Sequence, residues 1–384
     1  MPRATFFVIL ALWGAGLGAA GQFAKISVAF PALALIYPQA GASLGFAVSL
    51  LSLVGLLLGV VAGMIVARLG YRRMLLSGLM LGAALSMLQA LLPPLPVFLL
   101  SRLAEGLSHL VIVVAAPTLI AELAPDRWRA GAMTLWSSFF GVAYGLAAWL
   151  GLPLIDQFGP GALLAVHGGY MALMALLLWS VLPVRSLATP QPLPGWRDIL
   201  RQHGTIYQSP RIGAAGLGWL CYTLTFVSLL TVLPMVLGPQ APPWLTGVLP
   251  LTSIAVSLVL VAPLLRVVPA VPVVIAGFAL SALGTLLVWS LPGALWPPIL
   301  LFGALALVQA ASFAAIPQLN DTPSARALAN GAVAQMGNMG NLAGTPVLLA
   351  ALALAGPGGG LAFIFLSYAC GLALHVWLAR RRRV

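Results

Sequence analysis

The sequence predicts an all-α membrane protein in which twelve transmembrane helices form two six-helix bundles. Of its 384 residues, 61% are hydrophobic and 6% are charged, whereas a soluble domain carries about 25% charged residues. Because so few charges cannot cover a water-facing surface, the apolar excess must face a lipid bilayer. The formal net charge of +12 does not indicate nucleic-acid binding, since the basic residues lie in short loops between apolar runs.

Apolar stretches of membrane length define the spans. A helix that crosses the hydrocarbon core needs about 20 residues. The first stretch continues to Tyr37, which is too long for a cleaved signal peptide. Cutting the chain at turn residues and charges gives twelve predicted spans, numbered along the chain: 5–36, 43–67, 71–92, 97–123, 130–154, 161–183, 211–237, 243–265, 270–291, 297–319, 326–355 and 360–379.

The basic residues lie on one side of the predicted membrane. Lys and Arg accumulate in cytoplasmic loops, and an even number of spans places both termini on the same side. Of the 18 basic residues, Lys25 and Arg102 fall inside spans, and the other 16 lie on the side of the termini. We therefore predict a multi-pass protein of the bacterial-type inner (plasma) membrane with cytoplasmic termini. The opposite loops contain no basic residue: 37–42, 93–96, 155–160, 238–242, 292–296 and 356–359.

The two halves of the chain resemble diverged repeats. The polar stretch 184–210, a predicted cytoplasmic linker, separates an N-terminal six-helix bundle (1–183) from a C-terminal one (211–384). In transporters built from such repeats, the solute site lies near the midplane between the halves. Prolines recur at matching places in spans 1 and 7 and in spans 4 and 10: Pro31 with Pro234, and Pro117 with Pro317.

The loop between spans 2 and 3 carries a recognisable motif. It reads GMIVARLGYRR over residues 63–73, which resembles the major facilitator signature G-x-x-x-D-R-x-G-R-R. Ala67 replaces the acid, and Tyr71 replaces a basic residue. In that family this loop helps to gate the transporter through charge contacts, so the resemblance predicts a gating loop. The matching residues are Gly63, Arg68, Gly70, Arg72 and Arg73.

Two further motifs extend the resemblance. Arg102, Glu105 and Gly106 of RLAEG resemble the family pattern R-x-x-Q-G in helix 4. Span 5 has the two glycines of the antiporter pattern G-x-x-x-G-P, but Leu146 replaces its proline. Pro31, which follows a basic residue in span 1, resembles cyanate-transporter-like members, although no motif identifies a subfamily. The resemblance implies a major facilitator fold in which helices 1, 4, 7 and 10 line a central cavity.

Charges at membrane depth are costly and mark functional sites by default. Span 1 contains Lys25, and span 4 contains Arg102, Glu105 and His109 on one helical face. We predict that Lys25 and Arg102, with the neighbouring Gln22, bind an anion, and that Glu105 and His109 carry the coupling proton. The alternative is a fixed Lys25–Glu105 ion pair that holds helices 1 and 4 together.

The second half offers uncharged groups. Spans 7 and 10 carry polar and aromatic side chains that suit an uncharged or aromatic part of a solute, and interhelical packing explains them equally well. The candidate residues are Tyr222, Thr225, Ser228, Gln309 and Phe313.

These features predict a secondary active transporter that moves a small organic anion by alternating access, coupled to protons as a symporter. A proton-antiport exporter of amphipathic drugs or metabolites is the alternative, and a non-transporting receptor or scaffold is an alternative of another class. No catalytic motif, metal-ligand cluster or cofactor fingerprint occurs in the sequence, so we predict neither an enzyme nor a cofactor. Cys221 and Cys370 lie inside apolar runs, which disfavours a structural disulfide. We expect a monomer whose partners are its solute, protons and the bilayer.

Overall fold

The computed structural model describes residues 3–183, 195–237, 242 and 244–382, and within these ranges it contains helices and turns but no β-strand. The all-α fold class is therefore confirmed. The helices are α1 (Arg3–Ile36), α2 (Gly45–Ser49), α3 (Leu51–Leu69), α4 (Tyr71–Ala90), α5 (Leu95–Leu123), α6 (Asp126–Ser137), α7 (Phe139–Phe158), α8 (Pro160–Val181), α9 (Trp196–Gln208), α10 (Gly213–Leu237), α11 (Trp244–Val256), α12 (Ala262–Leu264), α13 (Ala270–Ser290), α14 (Trp296–Leu319) and α15 (Pro323–Arg381).

The predicted spans fall on these helices. Among the described residues, ten helices are long and apolar enough to cross a membrane, or eleven if the bent pair Pro38–Ser49 and Leu51–Gly59 forms one span. Span 5 covers α6 and α7, which are separated at Ser138. Span 8 covers α11, a π-helical turn (Ser257–Val261) and α12. Pro31, Pro117 and Pro317 lie inside continuous helices.

The long helix α15 contains both spans 11 and 12. Its backbone leaves the helical region at Ala355 and Gly356, and Gly356 has a φ of 61°, a conformation that favours glycine. Beyond this break the chain folds back on itself. The fold-back is shown by Gly360, where a Cβ would lie 2.7 Å from the side chain of Leu352. The two arms of α15 therefore form a helical hairpin with a two-residue turn.

The chain divides into two compact units, residues 1–193 and 194–384. In the first unit, α1 packs against α5, α7 and α8. Buried side chains from α1, α4, α5 and α8, such as Leu12, Leu79, Ile112 and Leu178, form its apolar core. Glycines bring α1 close to α8: a Cβ at Gly21 would lie 2.9 Å from the ring of His167. This close approach of the two helices leaves room for the polar side chain of His167, on α8, in the interior of the first unit.

In the second unit, α10 packs chiefly against α15. A Cβ at Gly216 of α10 would lie 2.8 Å from the carbonyl carbon of Ala332. A Cβ at Gly344 of α15 would overlap the backbone of Leu224. Small residues thus allow the two backbones to touch, as is common between membrane helices.

The predicted linker 184–210 is partly helical. Residues 184–194 lie outside the described residues, whereas α9 occupies Trp196–Gln208. Its apolar and polar residues alternate with helical spacing, so one face docks on the second unit: Ile206 is buried, and the Tyr207 hydroxyl donates to Gln335 Oε1 at 2.7 Å. Because the stretch 184–210 is polar as a whole, the amphipathic pattern of α9 was not recognised in the sequence.

Candidate functional site: a buried charge cluster in the first unit

Lys25 of α1 and Glu105 of α5 meet inside the first unit. Lys25 Nζ lies 2.7 Å from Glu105 Oε1, and the side chains are 1% and 0% exposed. Both groups are therefore removed from solvent, where an unpaired charge would be very costly. The structure brings together the two residues that the sequence singled out, in the paired arrangement that both the anion-site hypothesis and the fixed-pair alternative require.

Arg102 is the second cation of this cluster. Its Nη1 pairs with Glu105 Oε2. Its other nitrogens bind backbone carbonyls: Nε donates to Ala47 at 2.6 Å, and Nη2 donates to Gln22 at 2.8 Å. Arg102 thereby ties α1 and α2 to α5. This bonding favours a positioning role for the guanidinium and leaves Lys25 as the cation with the more exchangeable contacts.

Two glutamines belong to the cluster: Gln89 binds the carboxylate directly, and Gln22 binds Arg102 through its backbone carbonyl. Gln89 Nε2 donates to Glu105 Oε2 at 2.8 Å and to Ser101 Oγ at 3.1 Å. Gln22 Nε2 donates to Ser108 Oγ at 2.8 Å, and Ser108 in turn donates to the Gly78 carbonyl. These acceptors fix which amide atom faces them. The amide oxygens of Gln22 and Gln89 are left buried without a protein partner, so each can accept a hydrogen bond from a bound molecule.

Ser86 and His167 complete the cluster, and the sequence did not single them out. Ser86 Oγ lies 2.6 Å from Lys25 Nζ and 2.9 Å from His167 Nδ1. His167 Nδ1 is 3.4 Å from Lys25 Nζ. The sequence contains only a weak indication of this part of the cluster: Ser86 and Gln89 lie at i and i+3 on an otherwise apolar face of span 3. The cluster therefore draws on α4 and α8 as well as on α1 and α5.

His109 lies apart from the carboxylate. Its Nδ1 is 3.0 Å from the Ala19 carbonyl, and its ring packs edge-on against Phe23 at 5.2 Å. Sharing a helical face with Glu105 thus did not bring it into hydrogen-bonding contact with that residue. His167, rather than the predicted proton carrier His109, lies beside the ion pair.

The charges of the cluster do not balance. Within the described residues, Glu105 is the carboxylate that pairs with both Lys25 and Arg102. Counted with both side chains protonated, the formal charges of Lys25 and Arg102 exceed that of Glu105 by one in a buried site. Such an excess is unfavourable at membrane depth unless an anion compensates it.

The polar residues predicted for the second half lie in the second unit. Tyr222 donates to Gln309 Oε1 at 3.3 Å and stacks on Trp219 at 4.5 Å. Phe313, which is 46% exposed, meets Trp219 edge-on. Thr225 and Ser228 are buried and donate to carbonyls of their own helix. Gln309 is thus joined to Tyr222 by a hydrogen bond, and Trp219 joins Tyr222 to Phe313. The hydroxyls of Thr225 and Ser228 instead bind backbone carbonyls.

Among the described residues, no group of three or more His, Cys, Asp or Glu side chains is placed to hold a metal ion.

The sequence profile of the Major Facilitator Superfamily matches residues 9–320. The chain belongs to the Major Facilitator Superfamily. No curated protein matches the chain. Membership assigns it to the membrane transporters in general.

In this member of the superfamily, the predicted gating loop forms the turn between α3 and α4. Gly70 ends α3 with a φ of 92°, which favours glycine. Arg72 donates to the last carbonyls of α8, from Nη2 to Trp179 at 2.8 Å and from Nε to Leu182 at 3.2 Å, and so satisfies groups that a helix end leaves free. Gly63, Arg68 and Arg73 are exposed. The loop therefore combines one arginine that caps a neighbouring helix with two that are open to partners.

Proposed function

We propose that this superfamily member is a secondary active transporter that moves a small organic anion by alternating access, together with a proton. The observation that carries the proposal is the excess positive charge of the buried Lys25–Arg102–Glu105 cluster. An anion that enters beside Lys25 compensates this charge. The unpartnered amide oxygens of Gln22 and Gln89 accept hydrogen bonds from hydroxyl or amino groups of the solute.

Lys25 is the group best suited to exchange partners. Its ammonium is a compact charge with three donors on a flexible stem, and all its contacts are to side chains: Glu105, Ser86 and His167. Buried ion pairs seldom add net stability relative to apolar residues. A lysine at this depth is therefore explained better by recognition of an anion than by packing.

A thermal-shift panel tests the proposal. Purified full-length protein is heated with sodium acetate, lactate, pyruvate or benzoate, and separately with the corresponding uncharged amides. Because a ligand that binds the folded state stabilises it by mass action, at least one carboxylate should raise the unfolding temperature while its amide does not. Equal stabilisation by amides and carboxylates, or no stabilisation by any carboxylate, would contradict an anion site.

Orientation in a bacterial-type inner membrane, with cytoplasmic termini, belongs to the same proposal and rests on the arginine distribution. In a background without Cys221 and Cys370, cysteines placed at the exposed positions Gln39 and Gln157 should react with a membrane-impermeant maleimide in intact cells. Cysteines at the exposed positions Arg201 and Asp321 should react only after the membrane is opened. Labelling of Arg201→Cys in intact cells would show that the protein has the opposite orientation.

A further inference from the structure

His167 is held in one tautomer by its partners. Its Nε2 lies 2.9 Å from the Gly18 carbonyl, and a carbonyl oxygen only accepts, so Nε2 carries the hydrogen and donates it. In the neutral ring, Nδ1 is then a bare acceptor. That acceptor faces Ser86 Oγ at 2.9 Å and Lys25 Nζ at 3.4 Å. The Nδ1 lone pair of His167 therefore faces Ser86 and lies close to Lys25, the cation of the proposed anion site.

Ser86 connects the lysine to the histidine. Lys25 Nζ has no acceptor lone pair, so it donates to Ser86 Oγ at 2.6 Å. The Ser86 hydroxyl hydrogen then has two acceptors within reach, His167 Nδ1 at 2.9 Å and Glu105 Oε1 at 3.4 Å. The shorter distance selects His167 while its ring is neutral. The hydroxyl can rotate between these two acceptors without any movement of the backbone.

We propose that His167 is the site of the coupling proton and that its protonation releases Lys25 from Glu105 and Ser86 to the solute anion. This inference rests on the proposed function, since it assumes that Lys25 recognises an anion. A proton added at Nδ1 leaves His167 as an imidazolium. Its new N–H donates to Ser86 Oγ, and the Ser86 hydrogen turns to Glu105 Oε1. No bond between heavy atoms forms or breaks, and the only proton gained is the one on His167.

Charge repulsion drives the release. In the protonated state, two cations face each other at the 3.4 Å that separates His167 Nδ1 from Lys25 Nζ. Like charges at such separation repel strongly where water is excluded. At the same time Ser86 competes with Lys25 for Glu105 Oε1. Both changes weaken the hold of the cluster on the ammonium.

The charged group in contact with the His167 ring is Lys25 of α1, which pairs with Glu105 of α5, and Arg102 of α5 pairs with the same carboxylate. Helix α4 contributes the neutral Ser86 and Gln89, and the phenols of Tyr144 in α7 and Tyr170 in α8 bind Ser27 and the Gly14 carbonyl. Protonation of His167 adds a positive charge beside Lys25, and an anion bound there is attracted more strongly as a result. This attraction links the binding of the anion to the uptake of the proton.

The single lysine of the chain gives a direct readout that needs no solute. Full-length protein labelled with 13C at lysine Cε is titrated by NMR from about pH 8 down through the range in which histidine ordinarily titrates. The titration continues to the lowest pH at which the protein stays folded, because Lys25 beside the ring opposes its protonation. The wild-type Lys25 signal should shift as the contacts of the ammonium change. His167→Gln keeps a donor for Gly18 and an acceptor for Ser86 but takes up no proton, so its signal should stay near the wild-type position at the upper pH.

His109→Gln is the matched control, because His109 lies in the same unit but outside the cluster, and it should retain the wild-type response. A response that persists in His167→Gln, or that disappears in His109→Gln, overturns the inference. If His167→Gln does not fold, ring 15N spectra of the wild type decide: His167 should show the Nε2–H tautomer at the upper pH and the imidazolium at the lower. A negative NMR result would leave the proposed anion site standing. A thermal-shift panel without a carboxylate effect would overturn the proposed function itself.

Discussion

Replacing Glu105 with alanine should destabilise the first unit by about 3–5 kcal/mol, the usual cost of breaking a buried ion pair. Glu105 accepts from Lys25, Arg102 and Gln89, so its loss leaves two buried cations without a counter-charge. Lys25→Ala should have a much smaller effect, because Arg102 and Glu105 still balance each other. The unfolding of purified protein in detergent, followed by tryptophan fluorescence, measures both variants.

Asp126→Ala is the control for the Glu105 variant. Asp126 also pairs with an arginine three residues away, Arg129, but the Asp126 side chain is 90% exposed. Exposed ion pairs contribute about 0–1 kcal/mol. If Glu105→Ala unfolded at the same temperature as Asp126→Ala, the carboxylate would not hold the cluster together.

The second large effect concerns binding. Lys25→Ala should fold and insert but lose affinity for the carboxylate that stabilises the wild type, because truncating a desolvated charge costs about 2–5 kcal/mol, or at least roughly 30-fold in Kd. Lys25→Arg should retain part of the binding, since the charge survives while its shape changes. Thermal shifts and counterflow in proteoliposomes report affinity and transport separately. Arg102→Ala should also impair transport, through the loss of its bonds to α1 and α2.

The double variant Lys25→Ala, Glu105→Ala separates recognition from structure. Removing the lysine together with its acid lowers the buried excess from two positive charges in Glu105→Ala to one, so stability should recover in part. Carboxylate binding should remain absent. Full transport in the double variant would instead show that Lys25 and Glu105 form a structural pair, and the anion hypothesis would fail.

The sequence was informative where a residue type is rare in its setting. Lys25, Arg102 and Glu105 were identifiable because charges seldom occur inside membrane spans, and the superfamily motifs identified the fold. Ser86, Gln89 and His167 were not identifiable, because serine, glutamine and histidine also serve as ordinary interhelical hydrogen-bonding groups.

Helix rotation limited the rest of the site prediction. Spans 3 and 6 are apolar on most sides, so periodicity does not fix which face turns inward. His109 illustrates the same limit, since it follows Glu105 by one turn but is bound by the backbone of α1 at Ala19. Contacts of this kind depend on the packing between helices, which helical spacing alone does not specify.

The hairpin of α15 has a consequence for biosynthesis. Because the backbone reverses within two residues at Ala355 and Gly356, the polypeptide between the two arms is too short to dwell outside the bilayer while one arm waits for the other. The two arms also touch near the turn, where Gly359 lies against the backbone of Ala351 and Gly360 lies against the side chain of Leu352. The two arms should therefore enter the bilayer together, as a pre-paired hairpin.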